Sequence, residues 1–67
     1  MGLCYKRLWK LLIDRDLKKK DLQAMANISS ASITKLAKNE NVTTETIERI
    51  CIALKCDVSD IMEMTNE

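Results

Sequence analysis

The sequence predicts an all-α domain of five short helices. Three observations carry the prediction. Apolar residues recur at helical spacing along the chain, strand signals are missing, and one five-residue apolar spacing marks four helix starts. The first segment, about Tyr5 to Arg15, places Leu8, Leu11 and Leu12 on one face. The second offers Leu22, Met25 and Ala26, and the third Ile33, Leu36 and Ala37. The fourth carries Ile47, Ile50, Cys51 and Leu54. The fifth, only a turn or two long, has Val58, Ile61 and Met62. There is no Pro, Gly2 is the only Gly, and neither an alternating β-branched run nor an Asn-Gly or Asp-Gly turn occurs.

The helix starts follow a second rule. An apolar residue before an N-cap packs on the residue five positions later and fixes the angle of entry. Leu17 with Leu22, Ile28 with Ile33, Val42 with Ile47 and Cys56 with Ile61 have that spacing. The caps are then Lys18, Ser29, Thr43 and Asp57. Ser, Thr and Asp oxygens accept from free backbone N–H groups, whereas Lys cannot, so the second helix is the weakest-started. Between the second and third helices stands only Ala26-Asn27-Ile28-Ser29. A link so tight needs a left-handed residue, and Asn27 is the one suited to it, with positive φ. Asn39 has two readings, as a C-terminal cap of the third helix or as a phosphate contact.

Length and composition exclude other classes. A chain of 67 residues holds one domain, spanning 1–67. With 46% apolar and 31% charged residues it reads as soluble and globular. The longest apolar run, Leu11-Leu12-Ile13, is far too short for a membrane span, which takes about 20 residues. No secretory leader is visible, so a cytoplasmic location is expected. There is no His, and Cys4, Cys51 and Cys56 form no CxxC pair, so neither a metal nor another cofactor is expected. Catalysis is not expected. Ser29, Ser30 and Ser32 lack a His partner, Cys51 lies on an apolar stripe, Cys56 is a staple residue, and exposed Cys4 belongs to no site.

A net charge of +1 hides an uneven distribution. Residues 1–38 carry nine Lys and Arg against three acids, a net +6, and residues 39–67 carry two bases against seven acids, a net −5. Such asymmetry points to a polyanion on one side, the alternative being a soluble surface whose charges fell this way by chance.

Two short helices, a tight turn and a small polar start to the second helix form a helix-turn-helix, here at about 19–38. The stretch KKDLQAMANISSASITKLAK resembles the Xre family of phage repressors and Cro proteins, through Leu22, Ala26, Asn27, Ile28, Ser29 and Ile33. The later stretch ENVTTETIERICIALKCDVSDIMEM is similar to small Xre-type regulators of Gram-positive bacteria and their mobile elements. The resemblance spans roughly Tyr5 to Met64. It implies a five-helix repressor-like bundle of bacterial or phage origin that regulates transcription by binding double-stranded DNA. Three positions depart from the family pattern: Asn27 stands for the usual turn Gly, Gln23 for a small Ala, and Lys18 for a Thr or Ser cap.

On that resemblance the third helix enters the major groove, where base edges present distinct donors and acceptors. Ile33, Leu36 and Ala37 face the core, which leaves Ser30, Ala31, Ser32, Thr34, Lys35 and Lys38 on the open side or its margins. Lys35 suits guanine O6 and N7. Thr34 and Ala31 suit thymine methyls, and Ser30 suits a base or a phosphate. Phosphate contacts fall to Lys18, Lys19, Ser29, Lys38 and Asn41. The resemblance further implies a repressor acting as a homodimer on a palindromic operator, with Leu54, Val58, Ile61, Met62 and Met64 as candidate dimer surface. These same residues alternatively close the monomer core. Tyr5 and Trp9 are expected at the core edge. No small-molecule ligand and no membrane contact are expected. The competing class is a protein-interaction module, antitoxin-like or accessory, that keeps the fold without binding DNA.

Overall fold

The N-caps stand where the apolar pairs put them. In the computed structural model, which describes residues 2–65, the chain runs through β1 (Gly2–Cys4), α1 (Lys6–Asp14), α2 (Lys19–Ala26), α3 (Ser30–Ala37) and α4 (Thr44–Leu54). A single 3-10 turn (Val58–Asp60) and β2 (Glu63–Thr65) follow. Lys18, Ser29, Thr43 and Asp57 cap α2, α3, α4 and the 3-10 turn. The Ser29 and Thr43 hydroxyls accept from the N–H groups of Ser32 and Thr46, each at 3.2 Å. Asp57 accepts from the Val58 N–H at 2.7 Å. Lys18 has no side-chain oxygen to offer, and Asp21 compensates: its carboxylate accepts from the Lys18 N–H at 2.9 Å and puts negative charge in the first turn of α2.

All four helices end in one device. Asp16, Asn27, Asn39 and Lys55 take left-handed φ values of 56°, 54°, 57° and 53°. The residue after each donates its N–H back into the last turn: Leu17 to Leu12, Ile28 to Gln23, Glu40 to Lys35 and Cys56 to Cys51, at 2.8, 3.2, 2.9 and 3.0 Å. Three links therefore share an ordered trio, Asp16-Leu17-Lys18, Asn27-Ile28-Ser29 and Lys55-Cys56-Asp57. The first residue turns the chain. The apolar middle residue closes one helix and staples the next, and the last begins it. Asn and Asp tolerate the left-handed region, whereas Lys55 enters it without that help.

The expected fifth helix does not form. Among the described residues there are four α-helices, and Val58–Asp60 makes only one 3-10 turn before the chain extends. A segment this short cannot offset the cost of helix nucleation. Its tail instead joins β1 in an antiparallel ladder, Gly2 with Thr65, Leu3 with Met64 and Cys4 with Glu63. This small sheet corrects the all-α expectation. Strands of three residues show no alternation, and these two lie at opposite ends of the chain. Arg7 fastens that end, donating to the Ser59 carbonyl at 3.0 Å and pairing with Glu63 at 3.1 Å. Arg15 donates to the Leu54 carbonyl at the end of α4.

The core is Tyr5, Leu8, Leu12, Leu22, Ala26, Leu36, Ile50, Leu54 and Ile61, with α2 packed on α4. Leu54 and Ile61 are fully buried and so are unavailable to a dimer surface. Tyr5 is not at the core edge but inside it; the half-buried Trp9 is at the edge. Met25 and Ala37, expected on apolar faces, are exposed, because each two-turn helix turns only one narrow stripe inward. Cys4, Cys51 and Cys56 are all half-buried, which corrects the exposed reading of Cys4 and the buried reading of the other two. Gln23 is half-buried too. Among the described residues, no helix is long and apolar enough to cross a membrane.

Candidate nucleic-acid interface

The core uses one stripe of α2 and one of α3. Leu22, Ala26 and Leu36 are buried, and Ile33 is half-buried. The opposite stripe of α3 is left to solvent, so Ser30, Ala31, Thr34, Lys35 and Lys38 are exposed. The left-handed Asn27 sets the angle between the helices, and the Ser29 cap fixes where α3 starts. Ser32 belongs to that start rather than to the open face. It is half-buried, and both its N–H and its hydroxyl meet Ser29 Oγ at 3.2 Å. The Thr34 hydroxyl donates to the Ser30 carbonyl at 3.0 Å. Its proton is thereby engaged, and what Thr34 offers outward is a methyl group and an acceptor.

The flanks are cationic. Lys18 and Lys19 are exposed at the start of α2, and Lys38 is the exposed C-cap of α3. Lys19 Nζ lies 4.8 Å from the centroid of the Trp9 ring, within cation–π range. Trp9 thus steadies an ammonium group next to the helix-turn-helix. Asn41 is exposed in the link to α4. Asn39 is largely committed to the fold: its backbone is left-handed, and its side-chain oxygen accepts from the Tyr5 N–H at 3.1 Å. The Tyr5 hydroxyl donates to the Glu40 carbonyl at 3.0 Å, so the loop after α3 is tied to the start of the chain twice.

Sequence reading missed two supports. Arg49 of α4 donates to the Asn27 carbonyl at 2.7 Å and pairs with Glu45 at 2.9 Å. It clamps the turn that aims α3. The spacing of Glu45 and Arg49 was a readable sign of the ion pair, but nothing local pointed to the Asn27 carbonyl. The placement of Trp9 beneath Lys19 had no sequence signal. The cysteine thiols lie outside this surface. Burial is the main cause that pushes Cys51 and Cys56 above the ordinary thiol value, and Cys51 is raised further by Cys56 beside it. Both therefore stay protonated and weakly nucleophilic. Among the described residues, no group of three His, Cys, Asp or Glu side chains is placed to hold a metal.

A short helix stood off by a left-handed turn, clamped from behind and flanked by lysines, defines a helix-turn-helix DNA-binding domain. The chain belongs to the family described as the Cro/C1-type HTH DNA-binding domain, which matches residues 7–67. The resemblance to Xre-type proteins therefore holds. The structure is similar to the crystal structure of the transcriptional regulator VanUg, form II, at 45% sequence identity and a TM-score of 0.94, over 98% of this chain and 88% of that one. No curated protein matches the chain.

Proposed function

We propose that the chain is a sequence-specific regulator of transcription, a repressor that binds a palindromic operator in double-stranded DNA as a homodimer. The observation that carries this reading is the outer face of α3, where Ser30, Ala31, Thr34 and Lys35 stand exposed on a helix whose angle is fixed by Asn27 and Arg49. Lys35 reads a guanine, while Ala31 and Thr34 meet thymine methyls. Lys18, Lys19, Ser29, Lys38 and Asn41 hold phosphates, and Asn39 shapes the loop that carries Asn41.

One such module buries only about 600–1,000 Å² on DNA, so two copies give the affinity a regulator needs. Of the candidate dimer residues, Val58 and Met64 are the exposed ones. Met64 lies on β2, and each strand of the two-stranded sheet keeps one unpaired edge. Pairing such edges across a two-fold axis is a ready route to a dimer. Selection of bound sites from random DNA tests the whole reading. The expected product is a palindrome whose half-sites are one helical turn apart. No DNA binding up to high micromolar concentration at low salt would instead favour the antitoxin-like interaction module.

A further inference from the structure

Outside the helix-turn-helix, β1, one face of α4 and the 3-10 turn border an open groove of about 640 Å³. Leu3, Val42, Ile47, Ile52, Val58 and Met62 form its walls. Ile52 is 70% exposed and Val58 45% exposed, so two branched aliphatic side chains face water beside a concavity. A lone exposed aliphatic is ordinary, but a set gathered around a groove marks an interaction surface.

Charge decides what fits. Among the described residues, the only charged side chains lining the groove are Glu48 and Asp57, with no Lys or Arg among them. Asp60 stands on the same 3-10 turn. Among the described residues, none of these three carboxylates is in an ion pair, whereas Glu45 and Glu63 are held by Arg49 and Arg7. DNA is repelled here. A second copy seated symmetrically would set both acidic rims around one apolar seam, where like charges oppose the contact.

We infer that this groove docks a basic amphipathic helix of a partner protein, apolar side chains filling it and Lys or Arg flanking them opposite Glu48 and Asp57. An amphipathic helix suits such a lining because it presents apolar side chains at i, i+3, i+4 and i+7 between flanking polar ones. The inference goes beyond the DNA reading, because no groove residue belongs to the candidate nucleic-acid interface. It gives the regulator a protein contact that can be occupied while α3 is on DNA.

The probe is a displayed library of amphipathic helices with apolar residues fixed at helical spacing and the flanking positions randomised. Selection on the intact protein is expected to enrich Lys and Arg at the flanks. The selected peptide should bind one to one, weaken with salt, and lose about tenfold in affinity on Glu48→Lys. Ile52→Ser should abolish its binding while leaving DNA affinity within about twofold, because Ile52 is exposed and outside the DNA face. Enrichment of acidic or uncharged flanks, binding unaffected by Ile52→Ser, or no enrichment would overturn the proposal. So would sedimentation showing that Ile52→Ser dissolves a dimer of the free protein, because the groove would then belong to a second copy.

Discussion

At the scale of single residues, Lys35 and Lys19 have different work. Lys35 is exposed on the outer stripe of α3, and in the proposed complex its ammonium group meets a base edge. Lys35→Ala is expected to weaken operator binding by about 1–3 kcal/mol and to relax preference at one base pair. Competition between operator and single-base variants measures this, and an unchanged preference removes Lys35 from base reading. Lys19 rests on Trp9, and in the proposed complex it holds a phosphate. Its removal should weaken all sequences alike and lower the log–log salt slope by about one unit. Titration at several salt concentrations reads the slope; an unaltered slope would mean that Lys19 touches no phosphate.

At the scale of elements, the links explain how a chain with Gly2 as its only glycine makes four helix ends. Each turning residue is Asp, Asn or Lys in the left-handed region. Asp16, Asn27 and Asn39 sit there at modest cost, but Lys55 crowds its Cβ against its own backbone. Lys55→Gly is therefore expected to stabilise the fold by about 0.5–1 kcal/mol, even after the extra freedom of glycine in the unfolded chain is counted. For a domain of this size that raises the thermal midpoint by several degrees, about 4–8 °C per kcal/mol. A lowered midpoint would show that the Lys55 side chain contributes more than its backbone strain costs. The same logic gives Arg49 its place: it holds the turn that sets the angle between α2 and α3.

At the scale of the molecule, size and burial set the limits. The longest dimension is 32 Å, and α3 spans eight residues. Successive turns of the major groove are about 34 Å apart, so in the proposed complex one copy reaches one half-site and a palindrome takes two copies. Burial also fixes the response to alkali. The Tyr5 hydroxyl is pushed above its ordinary value of 10.0 by burial, and the Cys51 and Cys56 thiols above 9.0, chiefly for the same reason. All three are held neutral in the fold and ionise more readily in the unfolded chain. Their contribution is complete below the unfolded values and is lost as pH rises past about 9. The denaturant midpoint should fall between about pH 8 and pH 10, and a flat or rising midpoint there would contradict the burial of these groups.

Much of this was legible because it is local. The cap at Ser29, the left-handed Asn27 and the staple from Ile28 to Ile33 involve neighbours in sequence, so side-chain chemistry at known spacing settles them. The outer stripe of α3 follows from the same periodicity. What lay beyond reach depends on distant partners. Val58–Asp60 stops at one turn because β1, from the other end of the chain, takes up the tail. Tyr5 is buried because the loop at Asn39 and Glu40 folds over it, and Lys19 is steadied by a ring from α1. Sequence alone thus determined the starts of α2, α3 and α4, the turn and the identity of the exposed lysines, through short-range hydrogen bonding and apolar periodicity. Only tertiary structure decided the small sheet, the clamp of Arg49 on Asn27 and the acidic groove beside α4, because each arises where segments far apart in the chain are brought into contact.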